Sequence, residues 1–144
     1  MRLVKSSRPG RKNGGYLEFV REHESCLGWA PFPLYYGDDL RQDGGYPGVN
    51  AHHVRLGGHG GMGLKPSDFR TVPLTDPEHR ELHQKGEGSF WNSRGVDPDE
   101  VIITLLTSWL GARHAGAVQE IVDSHIPNSR ALVMALVAYA EKAG

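Results

Sequence analysis

Apolar positions fall into distinct spacings along the chain, and each spacing predicts an element. Tyr16, Leu17, Phe19 and Val20 make one face of a short amphipathic helix over Tyr16–Glu24. Residues 26–48 (CLGWAPFPLYYGDDLRQDGGYPG) crowd Pro, Gly and aromatic residues together. They predict an irregular segment packed through Trp29, Phe32, Tyr35 and Tyr36. Val49–Leu56 (VNAHHVRL) reads as a strand, GGHGGMG at 57–63 as a loop, and Phe69–Leu74 (FRTVPL) as a returning strand. Together they predict a long-looped hairpin.

A helix follows with clear start and stop signals. Thr75 or Asp76 can cap it, Pro77 suits its first turn, and Thr75 with Glu78 fits a capping box. It should run to about Lys85 and stop at Gly86. Asp97-Pro98-Asp99-Glu100 opens a further helix over roughly 98–113, carrying Val101, Ile102, Leu105, Leu106, Trp109 and Leu110. Gly111 and Gly116 bracket a break, a second segment covers about 116–125, and Pro127-Asn128 starts a third. These helices close the core or form a homodimer surface through 97–144. The fold class is therefore α+β: a hairpin and helix, an irregular N-terminal segment, and a helical C-terminal tail. No internal repeat is visible.

With 144 residues the chain has room for one domain and one core. Its 19 glycines and 38% apolar content suggest a loop-rich domain whose order depends partly on a bound ion. A single cysteine, Cys26, excludes an intramolecular disulfide and a Cys-based zinc knuckle, and points to the cytoplasm. No stretch approaches the ~20 apolar residues of a membrane span. The N-terminus is basic but lacks the apolar region of a secretion signal. The net charge of −1 argues against a generic nucleic-acid binder, yet its distribution is uneven. Arg2, Lys5, Arg8, Arg11 and Lys12 make residues 1–15 a basic, flexible arm able to follow a phosphate backbone.

The chemistry lies in the histidines. His52 and His53 are adjacent on the first strand, so their side chains face opposite ways. His79 and His83 are four apart on the helix, on one face, where two imidazoles can grip one ion. If His52 faces the helix it completes a three-histidine metal site, and His53 stays outside it as a candidate general base. His23, His59, His114 and His125 have no such company. The glycine-rich loop lacks the Gly-Lys-Ser/Thr ending of a nucleotide-binding loop, and there is no G-x-S-x-G elbow.

The segment AHHVRLGGHGGMGLKPSDFRTVPLTDPEHRELHQKGEGSFW, residues 51–92 or so, resembles an HNH nuclease core, the ββα-metal or His-Me finger fold. It is most similar to the small phage and prophage HNH group that includes the RecA-dependent recombination-enhancement nuclease. The carrying features are the HH dipeptide, the KPSD turn, the PL strand end, and the HxxxH helix ending in GE and FW. The histidine layout is also similar to that of DNase colicins. The resemblance implies a nuclease domain over 16–96 with its core at 49–92. It implies His52, His79 and His83 as metal ligands and His53 as general base. Asp68 would orient that base, and Lys65 and Arg70 would contact phosphate. Three features depart from the group: Cys26 has no partner, Glu78 stands where relatives often have a second histidine, and the tail beyond about residue 113 exceeds the group's core.

The expected function is metal-dependent hydrolysis of DNA phosphodiester bonds, with one divalent ion (Mg, Mn, Ni or Zn) and DNA as partner. Two alternatives stand beside it. One is a non-catalytic, zinc-stabilised module that binds nucleic acid or a protein. The other is a nuclease active only with a protein partner on DNA.

Overall fold

A computed structural model describes residues 10–28, 48–55 and 66–143. The aromatic segment 29–47, the glycine loop 57–63, Lys65 and the first nine residues of the arm lie outside the described residues. Helix α1 (Gly14–Arg21) leads to a hairpin of β1 (Val49–His53) and β2 (Thr71–Thr75), then α2 (Asp76–Lys85) and α3 (Glu87–Arg94). Three more helices follow: α4 (Pro98–Leu110), α5 (Ala115–His125) and α6 (Ser129–Ala143). The fold is α+β, an antiparallel hairpin packed against helices with a mostly helical C-terminal part.

The hairpin pairs Val49 with Thr75, Ala51 with Pro73, His52 with Val72 and His53 with Thr71. A two-stranded sheet is marginal in water on its own, and here packing carries it. All five residues of β2 are buried, and α1, α2 and α4 pack on it. Tyr16 of α1 lies against Phe69 with ring centroids 4.8 Å apart and edge-on to Trp109 of α4 at 5.2 Å. Ile102, Leu105, Leu106, Val133 and Leu136 continue the same core into the C-terminal helices. α4 and α6 thus contribute to this core, whereas α5 has no buried residue. Ile126 and Met134 are the large hydrophobic side chains left exposed among the described residues.

Both strands are shorter than their hydrophobic runs suggest. Phe69 belongs to a turn closed by Arg70 N–H to the Ser67 carbonyl (2.9 Å), so β2 starts two residues later. The helix expected over 98–113 ends at Leu110, and residues 112–114 form a short 3-10 turn. The helix expected over Tyr16–Glu24 runs instead from Gly14 to Arg21, because Asn13 caps it through Tyr16 N–H (2.9 Å).

Helix α2 starts as its sequence predicts. Thr75 Oγ1 accepts from Glu78 N–H (3.3 Å), and Glu78 Oε1 accepts from Thr75 N–H (2.9 Å), a complete capping box. Ser25 donates to the same Glu78 oxygen at 2.6 Å. Asp76 binds the other strand twice, donating N–H to the Gly48 carbonyl (3.1 Å) and accepting from Asn50 Nδ2 (2.7 Å). The first turn of α2 is thereby pinned to the start of β1. Helix α3 has no counterpart among the expected elements. Gly86, at φ +91 and ψ 152, takes a conformation essentially reserved for glycine, which ends α2 and starts α3 at once. Gly95, left-handed at φ +68, closes α3.

No single helix among the described residues is long and apolar enough to cross a membrane.

Candidate functional site

The pleat of β1 separates its two histidines as alternation requires. His52 is buried and turns toward α2. His53 is partly exposed and turns toward the Ser67–Arg70 turn. On α2, one helical turn brings His79 and His83 together, with Nε2 atoms 3.2 Å apart. The His52 ring lies 5.0 Å from that of His79 and 6.1 Å from that of His83. One ligand atom from each of His52, His79 and His83 can be chosen so that all lie within 4.8 Å of one another. Three imidazoles that close could hold a metal ion.

Charge in this cluster suits a cation. Burial pushes the His79 pKa down, and His52 and His83 push the same way, against the pull of Asp76 and Glu87. A histidine so placed favours its neutral, ligating form. The donor set fits a divalent ion of borderline softness, since imidazole nitrogen suits several of them.

On the far side of the strand, His53 Nε2 lies 2.8 Å from Asp68 Oδ1. The other Asp68 oxygen accepts the Asn13 N–H at 2.8 Å, and Asp68 N–H donates to the Arg11 carbonyl at 2.8 Å. Asp68 is thus held from both sides by the last residues of the basic arm. Its carbonyl also takes the Thr71 hydroxyl (2.9 Å), which locks the turn into β2. With Nε2–H donated to Asp68, His53 keeps its lone pair on Nδ1.

Arg70 sits elsewhere than a phosphate contact requires. It is 2% exposed, and burial lowers its pKa while Asp99 and Glu87 favour its charge. Arg70 follows the tight turn directly into the core side of β2, so its guanidinium answers internal carboxylates. Asp99, in turn, has its pKa raised by burial and by Asp97, against Arg70 and Arg130. Lys65, the other expected phosphate contact, lies outside the described residues.

One residue of the site escapes sequence reasoning. Glu87, at the start of α3, accepts His52 Nε2–H and Trp91 Nε1–H on Oε2, each at 2.9 Å. Its Oε1 accepts the Arg55 N–H at 3.3 Å. Burial raises the Glu87 pKa, but the hydrogen bonds from His52 and Trp91 outweigh it, and the net direction is down. The signal is present in the sequence: Glu87 follows His83 at the spacing that separates His83 from His79. Gly86 hides it, because a glycine stop breaks the helical spacing before Glu87.

No protein-family model, curated protein or solved structure matches this chain.

Proposed function

We propose that the protein is a metal-dependent nuclease of the HNH, ββα-metal type that hydrolyses DNA phosphodiester bonds. The observation that carries this reading is the division of labour across β1. His52 joins His79 and His83 in a cluster able to hold a cation, and His53 stands on the opposite face bonded to Asp68. Hydrolysis of a phosphodiester needs those two things side by side, a Lewis acid and a general base.

His52, His79 and His83 would hold a divalent ion, which would supply Lewis acidity for phosphodiester hydrolysis. The chain's own residues do the rest. Asp68 holds the proton of His53 on Nε2, so Nδ1 takes the proton of the attacking water. Water oxygen forms the new bond to phosphorus as the bond to the 3′ oxygen breaks, the 3′ oxygen takes a proton from solvent water, and the products carry 5′-phosphate and 3′-hydroxyl ends. Neutral imidazole ligands would leave such an ion its full positive charge.

A closed structural zinc site would need a fourth protein ligand, and His53 is engaged elsewhere. That favours the catalytic reading over the binding module. The test is nicking of supercoiled plasmid by wild type and His53→Ala with Mg, Mn, Ni or Zn and with a chelator. Metal-dependent nicking that is lost in a folded, metal-loaded variant supports the proposal. Equal cleavage by the variant overturns the role of His53. No cleavage by metal-loaded wild type, even with a DNA-bound protein partner present, overturns the nuclease reading.

A further inference from the structure

The geometry points to Glu87 as the outer carboxylate of the metal site, holding His52 with its hydrogen on Nε2 and leaving Nδ1 for a divalent cation. This deepens the reading of His52, His79 and His83 as ligands and rests on it.

Three observations place Glu87 in that role. First, its carboxylate bonds His52, the one ligand that comes from the strand, and the pair is well shielded, with side chains 14% and 6% exposed. Second, both carboxylate oxygens are already occupied by donors. Oε2 takes His52 and the Trp91 indole, and Oε1 takes the Arg55 backbone. An acid bonded in this way is aimed at a neighbouring imidazole. Third, Glu87 is not among the residues whose ligand atoms converge, which are His52, His79 and His83.

The elements explain how it arrives there. Gly86 alone separates α2 from α3 and turns the chain, and Glu87 opens α3 beside the strand. Trp91, one turn further along α3 and nearly buried, braces the carboxylate from behind. A metal-bound histidine that donates its second N–H to a carboxylate has a fixed ring orientation and greater basicity. Glu87 is therefore a positioning residue: it acts through His52 and touches neither ion nor substrate.

The experiment uses the full chain and zinc alone, without DNA. Long-range proton–nitrogen NMR of the metal-free protein reads the His52 tautomer, and after zinc addition it reads which nitrogen is ligated. Zinc affinity is measured by competition titration for wild type, Glu87→Gln and Trp91→Phe. The expected result is an Nε2–H tautomer ligated through Nδ1. Glu87→Gln, which keeps the shape and loses the charge, should bind zinc about 10–100-fold more weakly. Trp91→Phe leaves the carboxylate in place and should lose much less, which separates the charge from its packing. Ligation of His52 through Nε2, or equal affinity of wild type and Glu87→Gln, overturns the assignment. If wild type binds no zinc, the three-histidine reading falls and takes the assignment with it. If zinc binds as expected but plasmid is never cleaved, the nuclease reading falls alone.

Discussion

His53 and Asp68 are bonded at 2.8 Å across the mouth of the hairpin, from the last residue of β1 to the turn that opens β2. The bond orients the imidazole and selects its tautomer, so in the proposed mechanism Asp68 would serve the base and not the cation. Asp68→Asn preserves the shape but can present an N–H to His53, favouring the wrong tautomer. Plasmid nicking should fall by up to the ~10²–10⁴-fold that a general base contributes, with an altered pH–rate profile and unchanged metal affinity. Full activity with an unaltered profile would remove Asp68 from the machinery.

Metal should stabilise the fold, because the ligands come from β1 and α2 and the ion would join them. At free metal 100 times its dissociation constant the expected gain is about 2.7 kcal/mol. For a chain of this size that is a rise in Tm of roughly 5–10 °C. Thermal melting with and without chelator measures it. His83→Ala removes an exposed ligand without touching the core, so it should abolish the shift while leaving the metal-free Tm nearly unchanged. A shift that survives in His83→Ala would place the ion elsewhere.

Without metal, stability should fall with acid in two windows. The His79 pKa is lowered from 6.5, so between its folded value and 6.5 the unfolded chain binds more protons. That contribution is present above 6.5 and is lost as pH falls toward the folded value. The Glu87 pKa is lowered from 4.5 in spite of burial, so its contribution is present above 4.5 and lost as pH falls through the folded value. Asp99, raised from 3.8, works against this second loss, since the folded chain takes up its proton first. Urea midpoints from pH 8 to 3 in chelator should show both declines, and His79→Asn should flatten the upper one. A midpoint that is constant from pH 8 to 5 would count against the burial of neutral His79.

The cap of α2 is also a device for holding the site. Thr75→Ala leaves Glu78 N–H without its side-chain acceptor and should cost about 1 kcal/mol, within a 0.5–2 range. Glu78→Ala should cost more, because Glu78 also accepts from Thr75 N–H and Ser25. Urea titration of both variants gives the comparison. Each should also weaken metal binding, since His79 and His83 sit on the helix being loosened. Stability loss with metal affinity untouched would mean that the histidine pair is rigid without its cap.

Much of this arrangement is legible in the residues alone, and the reasons differ by element. Thr75, Pro77 and Glu78 mark the start of α2 because capping is a local interaction, and the structure places the helix there. His52, His79 and His83 converge as strand alternation and helical spacing together require. The C-terminal helices follow from their apolar spacing and from Asp97, although Gly111 stops α4 earlier than expected. Long-range partners are less visible. The four-residue spacing from His83 hints at Glu87 but does not name His52, thirty-five residues away, as its partner, and nothing near Asn13 announces Asp68. The burial of Arg70 is equally hidden, since an arginine beside a polar turn looks like a surface residue until β2 is seen to be covered on both faces. These are outcomes of tertiary packing, which no short window of sequence encodes.

The pairing of His52 with Val72 and His53 with Thr71 acts as a reading frame for the chemistry. Slide β1 by one residue in one direction, and His53 joins His79 and His83 while Val54 faces Asp68. Slide it in the other direction, and His52 meets Asp68 while Ala51 faces the helix. Each slip preserves one task and erases the other, although the amino-acid sequence is unchanged. Two identical side chains acquire separate surroundings only from their phase in the hairpin, so the apolar residues that lock β2 in place also decide which histidine joins His79 and His83 and which one meets Asp68.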